Sequence, residues 1–406
     1  MGDQAIWSRR GLFGYGAGSL LALSGAVSVL QAAPVTPETD PIDAPPADPW
    51  REFAAITATL GTLATAPGVP AHDIDRAEGY RLLSRYISCG LDFCLEYADP
   101  AYPAFFNGTR DGTRKYAGDN PDELYDHAAV SADHAYRIRG SMRGTELLEC
   151  GIYSGDNFTD PTAKPVRLLR FITEQDLTIA RDGSFELRVG GAPGKGQPNH
   201  ISLEPGSSSL LVRRYRRSPF IDCPAMMIER IDNPGNPPVL TQAAVAARLA
   251  LAAHWAQSNA RLWAGYVDRT RATKRNMLVG FEDNGGLGAP GGHKYLEGYW
   301  DVPSDKALLI EFTPPDAPYW NLLICNYWME SLEWRFGNGV NFNNHQVRPD
   351  ADGLVRFVIS HRRPRRADVN WLEAQGHYEG QLVLRAARVK GAMPKALTRL
   401  VSADEI

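Results

Sequence analysis

The chain has few cysteines: Cys89, Cys94, Cys150, Cys223 and Cys325 are the whole set, and no two form a CxxC pair. That excludes a zinc ribbon or a thioredoxin-type redox motif, and an odd number leaves at least one thiol unpaired. No GxSxG elbow and no HExxH helix occurs, although nine histidines are present; two common hydrolase signatures are thereby missing. Phosphate loops are missing too. In "GGAPGKG" (190–196) the first glycine of GxxxxGK would fall on Val189, and Lys195 is followed by Gly where Ser or Thr is needed. "NGGLGAPGGH" has no strand-then-helix context and is not a dinucleotide fingerprint. Positive charge is not in excess either. With 43 basic and 47 acidic residues the net charge is −4, which argues against a nucleic-acid partner. Two basic clusters remain, Arg213, Arg214, Arg216 and Arg217, then Arg362, Arg363, Arg365 and Arg366. They read most simply as solvated strand ends and turns, with an anion site as the alternative.

Long apolar runs are confined to the N-terminus. "SRRGLFGYGAGSLLALSGAVSVLQAAP" begins with Arg9-Arg10, continues through a weakly apolar Gly- and Ala-rich run, and ends in small residues at Ala32 and Ala33. Residues 1–33 therefore read as a twin-arginine export signal. The expected partner is the twin-arginine export machinery, the destination is the periplasm or the medium, and no stable membrane span remains after processing. An uncleaved anchor helix is the alternative.

The rest of the chain has clear organisation. Residues 34–49 are a Pro- and Asp-rich linker, and 50–132 are a helical region and a loop. Short strands with turn chemistry fill 133–235, a first β-sandwich. Residues 239–275 are a connecting helix capped by Thr241, with Val245, Leu249, Ala252, Ala256, Trp263 and Tyr266 as its buried stripe. Strands resume over 276–395, a second sandwich. The expected fold is mainly β with helical additions: two antiparallel sandwiches, Ig-like and then jelly roll, joined by a long helix.

"GDNPDELY", "YRIRG", "NHISLEPGSSSLLVRRY", "IEFTPPDAPYWNLLICNYWMESL", "VISHRRP" and "NWLEAQGHYEGQLVLR" occur in one order along roughly residues 80–390. In this the chain resembles a bacterial family known as domain of unknown function 1214. The resemblance implies the same pair of sandwiches and no defined reaction. "SHRRPRRADVNW" is longer and more basic than the resemblance leads one to expect.

Two stretches carry candidate chemistry. In "GDNPDELYDH" the acids Asp119, Asp122 and Asp126 lie near His127 and Tyr125; metal or acid–base duty competes with a reading in which Asp119 and Asn120 cap a turn and Pro121 starts a short helix. In "YWNLLICNYWMESLEW", read as one strand, Trp320, Asn326 and Trp328 share a face with Glu330, and Tyr327 lies on the other. Tryptophans around Glu330 would desolvate it and raise its pKa. His345, His361 and His377 end or begin neighbouring strands, with Asn344, Asn370 and Trp371 beside them. Glu330, His345, His361 and Asp122 are thus the catalytic candidates. Asp119, Tyr125, Trp320, Asn326, Tyr327, Trp328, Asn344, Asn370, Trp371 and His377 are the substrate-binding ones. Satisfaction of loop amides is the plainer alternative for each. No cofactor and no metal is expected. Two functions stay open: an acid–base hydrolase, lyase or isomerase acting on a glycan or a hydrophobic ring compound, or a non-catalytic binding protein with a small-molecule or glycan ligand.

Overall fold

The computed structural model describes residues 48–108, 112–154, 167–193, 198–232, 235–281, 292–337, 339–365 and 369–406. The export signal, nearly all of the linker and most of "NGGLGAPGGH" lie outside the described residues. Helix α1 (Pro49–Ala58) starts where Asp48 Oδ1 accepts the Trp50 amide at 3.0 Å and Pro49 fills the first turn. Helix α2 (Asp73–Leu91) carries Asp73 and Asp75 in its first turn, where acids meet the positive end of the helix dipole. Helix α3 (Gln242–Thr273) is capped by Thr241, whose hydroxyl accepts the Ala244 amide at 3.2 Å. Leu249, Ala252 and Ala256 are buried on it, with Val245, Trp263 and Tyr266 packed alongside. That stripe meets mainly α1 and α2, forming a three-helix layer that also touches the second sandwich.

The first sandwich uses β1 (Phe106–Asn107), β2 (Glu123–Ala129), β3 (Tyr136–Ser141), β4 (Leu147–Ser154), β5 (Arg167–Thr173), β6 (Ser184–Val189), β7 (His200–Ile201), β8 (Ser207–Tyr215) and β9 (Met227–Arg230). One sheet runs β1-β2-β8-β4-β5 and the other β7-β6-β3-β9. The second sandwich uses β10 (Val279–Gly280), β11 (Lys294–Asp301), β12 (Lys306–Phe312), β13 (Tyr319–Ile324), β14 (Asn341–Asn343), β15 (Val355–Ser360), β16 (Asn370–Glu373), β17 (Glu379–Ala387) and β18 (Leu397–Ser402). Its sheets run β10-β11-β17-β13-β14 and β16-β15-β12-β18. The fold is thus mainly β, two sandwiches joined by a long helix. Pairing is antiparallel except at two short edges, β6 with β7 and β15 with β16, which run parallel.

Each sandwich has its own hydrocarbon core. In the first, Ala128, Leu148, Ile152, Leu210 and Val212 face Tyr136, Ile138, Leu187 and Val189. In the second, Trp300, Leu322, Ile324, Leu382 and Leu384 face Leu308, Ile310, Phe357 and Ile359. On β2, β4, β8, β11, β13 and β17 these core residues sit at even positions, so the odd positions point the other way.

Three local expectations change. Pro121 starts no helix: the chain turns there and enters β2, inside the stretch assigned to a loop. The strand read through residue 330 stops at Ile324. The Glu330 carbonyl accepts the Asn326 amide at 2.9 Å, and Met329 takes a left-handed φ of 60° to close the reversal. Arg214 and Arg216 are buried, not solvated strand ends.

Candidate functional site

The odd faces of the two central sheets meet each other. Tyr215 packs on Tyr319 with ring centroids 4.8 Å apart, and Leu147 and Ala387 complete the contact. Beside it the sheets part and leave a cavity of about 240 Å³. Strand register fills its first wall: Glu123 lies opposite Tyr215, Tyr125 opposite Arg213 and His127 opposite Leu211. The facing wall has Tyr295 opposite Arg385 and Glu297 opposite Val383. Trp263 and Tyr266 of α3 close a third side, and Tyr116, Gly118, Asp119 and Met329 a fourth. Rings make up much of the lining, while the charges sit on the two sheets and at Asp119 in the turn before β2.

Glu123 is 4% exposed. Its Oε2 accepts the Tyr125 hydroxyl at 2.9 Å and the Asn120 amide at 3.3 Å. Oε1 accepts no hydrogen bond, with Arg213 Nε 3.5 Å away. Burial pushes this carboxyl above the usual range, against the pull of Arg213 and Arg385. His127 moves the opposite way, down to about 3, because burial and then the Arg213 and Arg114 cations disfavour a charged ring. Glu297 is lifted to about 7 by burial while touching Tyr266 and Lys274. Deeper, Glu149 accepts His293 Nε2 at 2.7 Å and Tyr215 at 3.2 Å, and Arg388 lies 3.3 Å from its other oxygen. Burial favours a neutral Glu149, but His293 and the arginines outweigh it and hold the carboxyl below its usual range.

Glu330 lies outside this cavity. It is buried beneath α2, where Arg85 contacts Oε1 and Asn326 Nδ2 donates to Oε2 at 3.0 Å. Burial raises its pKa and Arg85 opposes that. Asn326 also donates to Glu78 Oε2 at 2.6 Å, and the same oxygen contacts His377 Nε2 at 2.9 Å. Glu330, Asn326 and His377 thus form one network with Arg85 and Glu78, two α2 residues that no motif in the sequence singles out. His345 and His361 stay out of it. His345 is exposed, and His361 bonds the Val302 carbonyl at 2.8 Å.

The remaining candidates disperse. Asp122 is fully buried and accepts Asn341 at 2.7 Å, Asn343 at 2.9 Å and Tyr319 at 3.0 Å; it knits β2's entry to the second sandwich. Asp119 and Tyr125 do line the cavity, with Asp119 also holding the Ser331 hydroxyl at 2.7 Å. Trp320 belongs to the second core. Tyr327 donates to Asp268 at 2.9 Å, and Trp328 to the Asp75 carbonyl at 2.5 Å. Asn344 binds the Trp320 amide at 3.2 Å, and Asn370 the Arg356 carbonyl at 2.7 Å. Trp371 donates to Ser360 Oγ at 3.0 Å and lines a separate open groove with Trp334. Glu123, Arg213, Tyr215, Tyr295, Glu297 and Arg385 were missed. In "ELYDH", "LVRRY" and "LVLRA" the polar wall residues Glu123, Tyr125, His127, Arg213, Tyr215 and Arg385 all fall on odd positions, a pattern shared with a sheet face that meets water.

The sequence profile described as "Protein of unknown function (DUF1214)" matches residues 305–390. The crystal structure of an uncharacterised protein from Burkholderia cenocepacia is 31% identical, covering 88% of this chain and 98% of that one, with a TM-score of 0.80. A protein from Vibrio parahaemolyticus, 11% identical over 85% of this chain and 98% of its own, gives a TM-score of 0.47. No curated protein matches the chain.

Proposed function

The chain belongs to the DUF1214 family, and from that premise we propose that it is an exported acid–base enzyme, working without an organic cofactor on a small ring-bearing substrate held between its two sandwiches. The observation that carries this reading is Glu123: a carboxyl 4% exposed, on a cavity wall, with one oxygen free of hydrogen bonds. Burying such a group is costly unless it keeps its proton, and a raised pKa brings it toward the range where a general acid works. Tyr125 fixes it through Oε2, leaving Oε1 to hold the proton that is handed over. His127, kept neutral on the same strand face, adds no charge to that wall. Hydrolase, lyase and isomerase chemistry all need this proton transfer, and the ring-lined walls suit a substrate that stacks.

The test is a turnover screen of glycosides and lipophilic ring compounds with wild type and Glu123→Gln. The substitution keeps shape and hydrogen bonding and removes the transferable proton. Loss of about 10²–10⁴ in kcat with little change in KM is expected, and wild-type kcat should fall as pH rises through the raised Glu123 pKa. A Glu123→Gln enzyme that turns over normally would overturn the assignment. Ligands that bind tightly but are never converted would make the protein a binding module.

A further inference from the structure

We propose that the substrate is a monoanionic organic carboxylate whose charged group pairs with Arg385 inside the cavity; this rests on the cavity being the substrate site. Arg385 stands on β17 opposite Tyr295. Its Nη2 donates to the Gly118 carbonyl at 2.6 Å, its Nη1 reaches the Tyr125 hydroxyl only at 3.4 Å, and its Nε has no acceptor. No carboxylate of the described residues lies within 4 Å of its nitrogens. Three other enclosed arginines have a carboxylate partner: Arg114 has Asp92 at 2.5 Å, Arg214 has Asp126 at 2.8 Å, and Arg388 has Glu174 at 2.7 Å. A guanidinium withdrawn from water without a counter-ion is expensive, and a planar carboxylate fits its fork.

The pairing of charges on the cavity wall leaves Arg385 without an acid of its own. Arg213 and Arg385 face it, Glu123 is the acid between them, and Asp119 on the fourth side is held by the Ser331 amide and hydroxyl. Glu123 is already engaged by Arg213, Tyr125 and Asn120. Glu297 is held by Lys274 and Tyr266, and His293 by Glu149. Arg213 keeps Glu123 as its neighbour whether or not that carboxyl holds its proton, so Arg385 is the cation left for the ligand, and one lone guanidinium suits a singly charged group. The remaining surface is Tyr116, Trp263, Tyr266, Phe281 and Tyr295, so the rest of the ligand is apolar and ring-bearing.

Calorimetric titration of the full chain with 2-naphthoate, 2-naphthamide and 2-naphthyl phosphate tests this, in wild type and Arg385→Gln. The acid should bind wild type about tenfold or more tighter than the amide, and tighter than the phosphate. Arg385→Gln should erase that preference while leaving amide affinity in place. Because the variant removes an uncompensated charge, its melting temperature should be no lower than wild type's without ligand. If Arg385→Gln does not fold, the wild-type order of acid, amide and phosphate decides alone. Equal binding of acid and amide, tighter binding of the phosphate, no binding of the acid, or a preference that survives Arg385→Gln would each overturn the proposal. Those results leave the Glu123 turnover test standing. Conversely, a carboxylate preference with Glu123→Gln fully active removes the acid–base reading and keeps the anion site.

Discussion

Asp75 is buried on α2 with neither carboxyl oxygen hydrogen-bonded, and burial pushes it up to about 6 despite the nearby His377. For an acid whose folded pKa lies above its unfolded value, the stabilising contribution is complete below the unfolded value of 3.8. It is lost as pH rises through about 6. Asp75→Asn keeps the shape of the protonated form and does not titrate. It should therefore match wild type near pH 4 and exceed it by at most about 3 kcal/mol near pH 8, read from denaturant midpoints across that range. A variant less stable than wild type at the alkaline end would show that the Asp75 charge is compensated. Burial is also what sequence reading handles worst at this scale. Glu330 is recognisable as a desolvated carboxylate because tryptophans flank it in the chain. Glu123 and Arg385 are desolvated by residues far away in sequence, and Arg213 and its neighbours look like solvated basic residues for the same reason.

Among elements, the crossing of α2 and α3 depends on a missing side chain. A Cβ built on Gly90 would lie 2.5 Å from the Ala252 carbonyl oxygen, closer than any real contact, and backbone cannot swing aside. Gly90→Ala gains up to about 1 kcal/mol of helix propensity, yet forcing the helices apart should cost more, leaving a net loss of about 1–3 kcal/mol. Chemical denaturation measures it, and a more stable variant would mean the helices separate freely. The α3 helix itself is legible: the cap at Thr241 and the apolar stripe through Leu249 and Ala256 give its start and its buried face. The end of β13 is not. Asn326 to Glu330 continues an apolar, aromatic run that alternates acceptably as strand. The reversal is made by the left-handed Met329 and the backbone and side-chain bonds of Asn326; Asn is a common turn residue, but the rings on either side of it mask that signal. β2 escapes notice because Pro121 and the acids around it imitate a helix start.

For the whole molecule, the arginine pair at the N-terminus carries the export reading, since the pathway's receptor reads both guanidiniums. Arg9→Lys with Arg10→Lys should leave the protein in the cytoplasm, as fractionation would record; undiminished export of that double variant removes the proposal. Two sandwiches and a linking helix can be read from strand spacing and turn chemistry, because each core is built from period-two patterns within short segments. The cavity cannot, because an odd face that meets another sheet and one that meets water are written with the same alternation. That arrangement has a consequence for how such a protein can change. The hydrocarbon cores occupy one set of positions and the cavity another, interleaved along the same strands. Replacing Tyr125, Arg213, Tyr295 or Arg385 alters what the cavity accepts and leaves the even-numbered layers untouched. Selectivity can thus diverge between relatives by single steps, each nearly independent of the architecture that carries it.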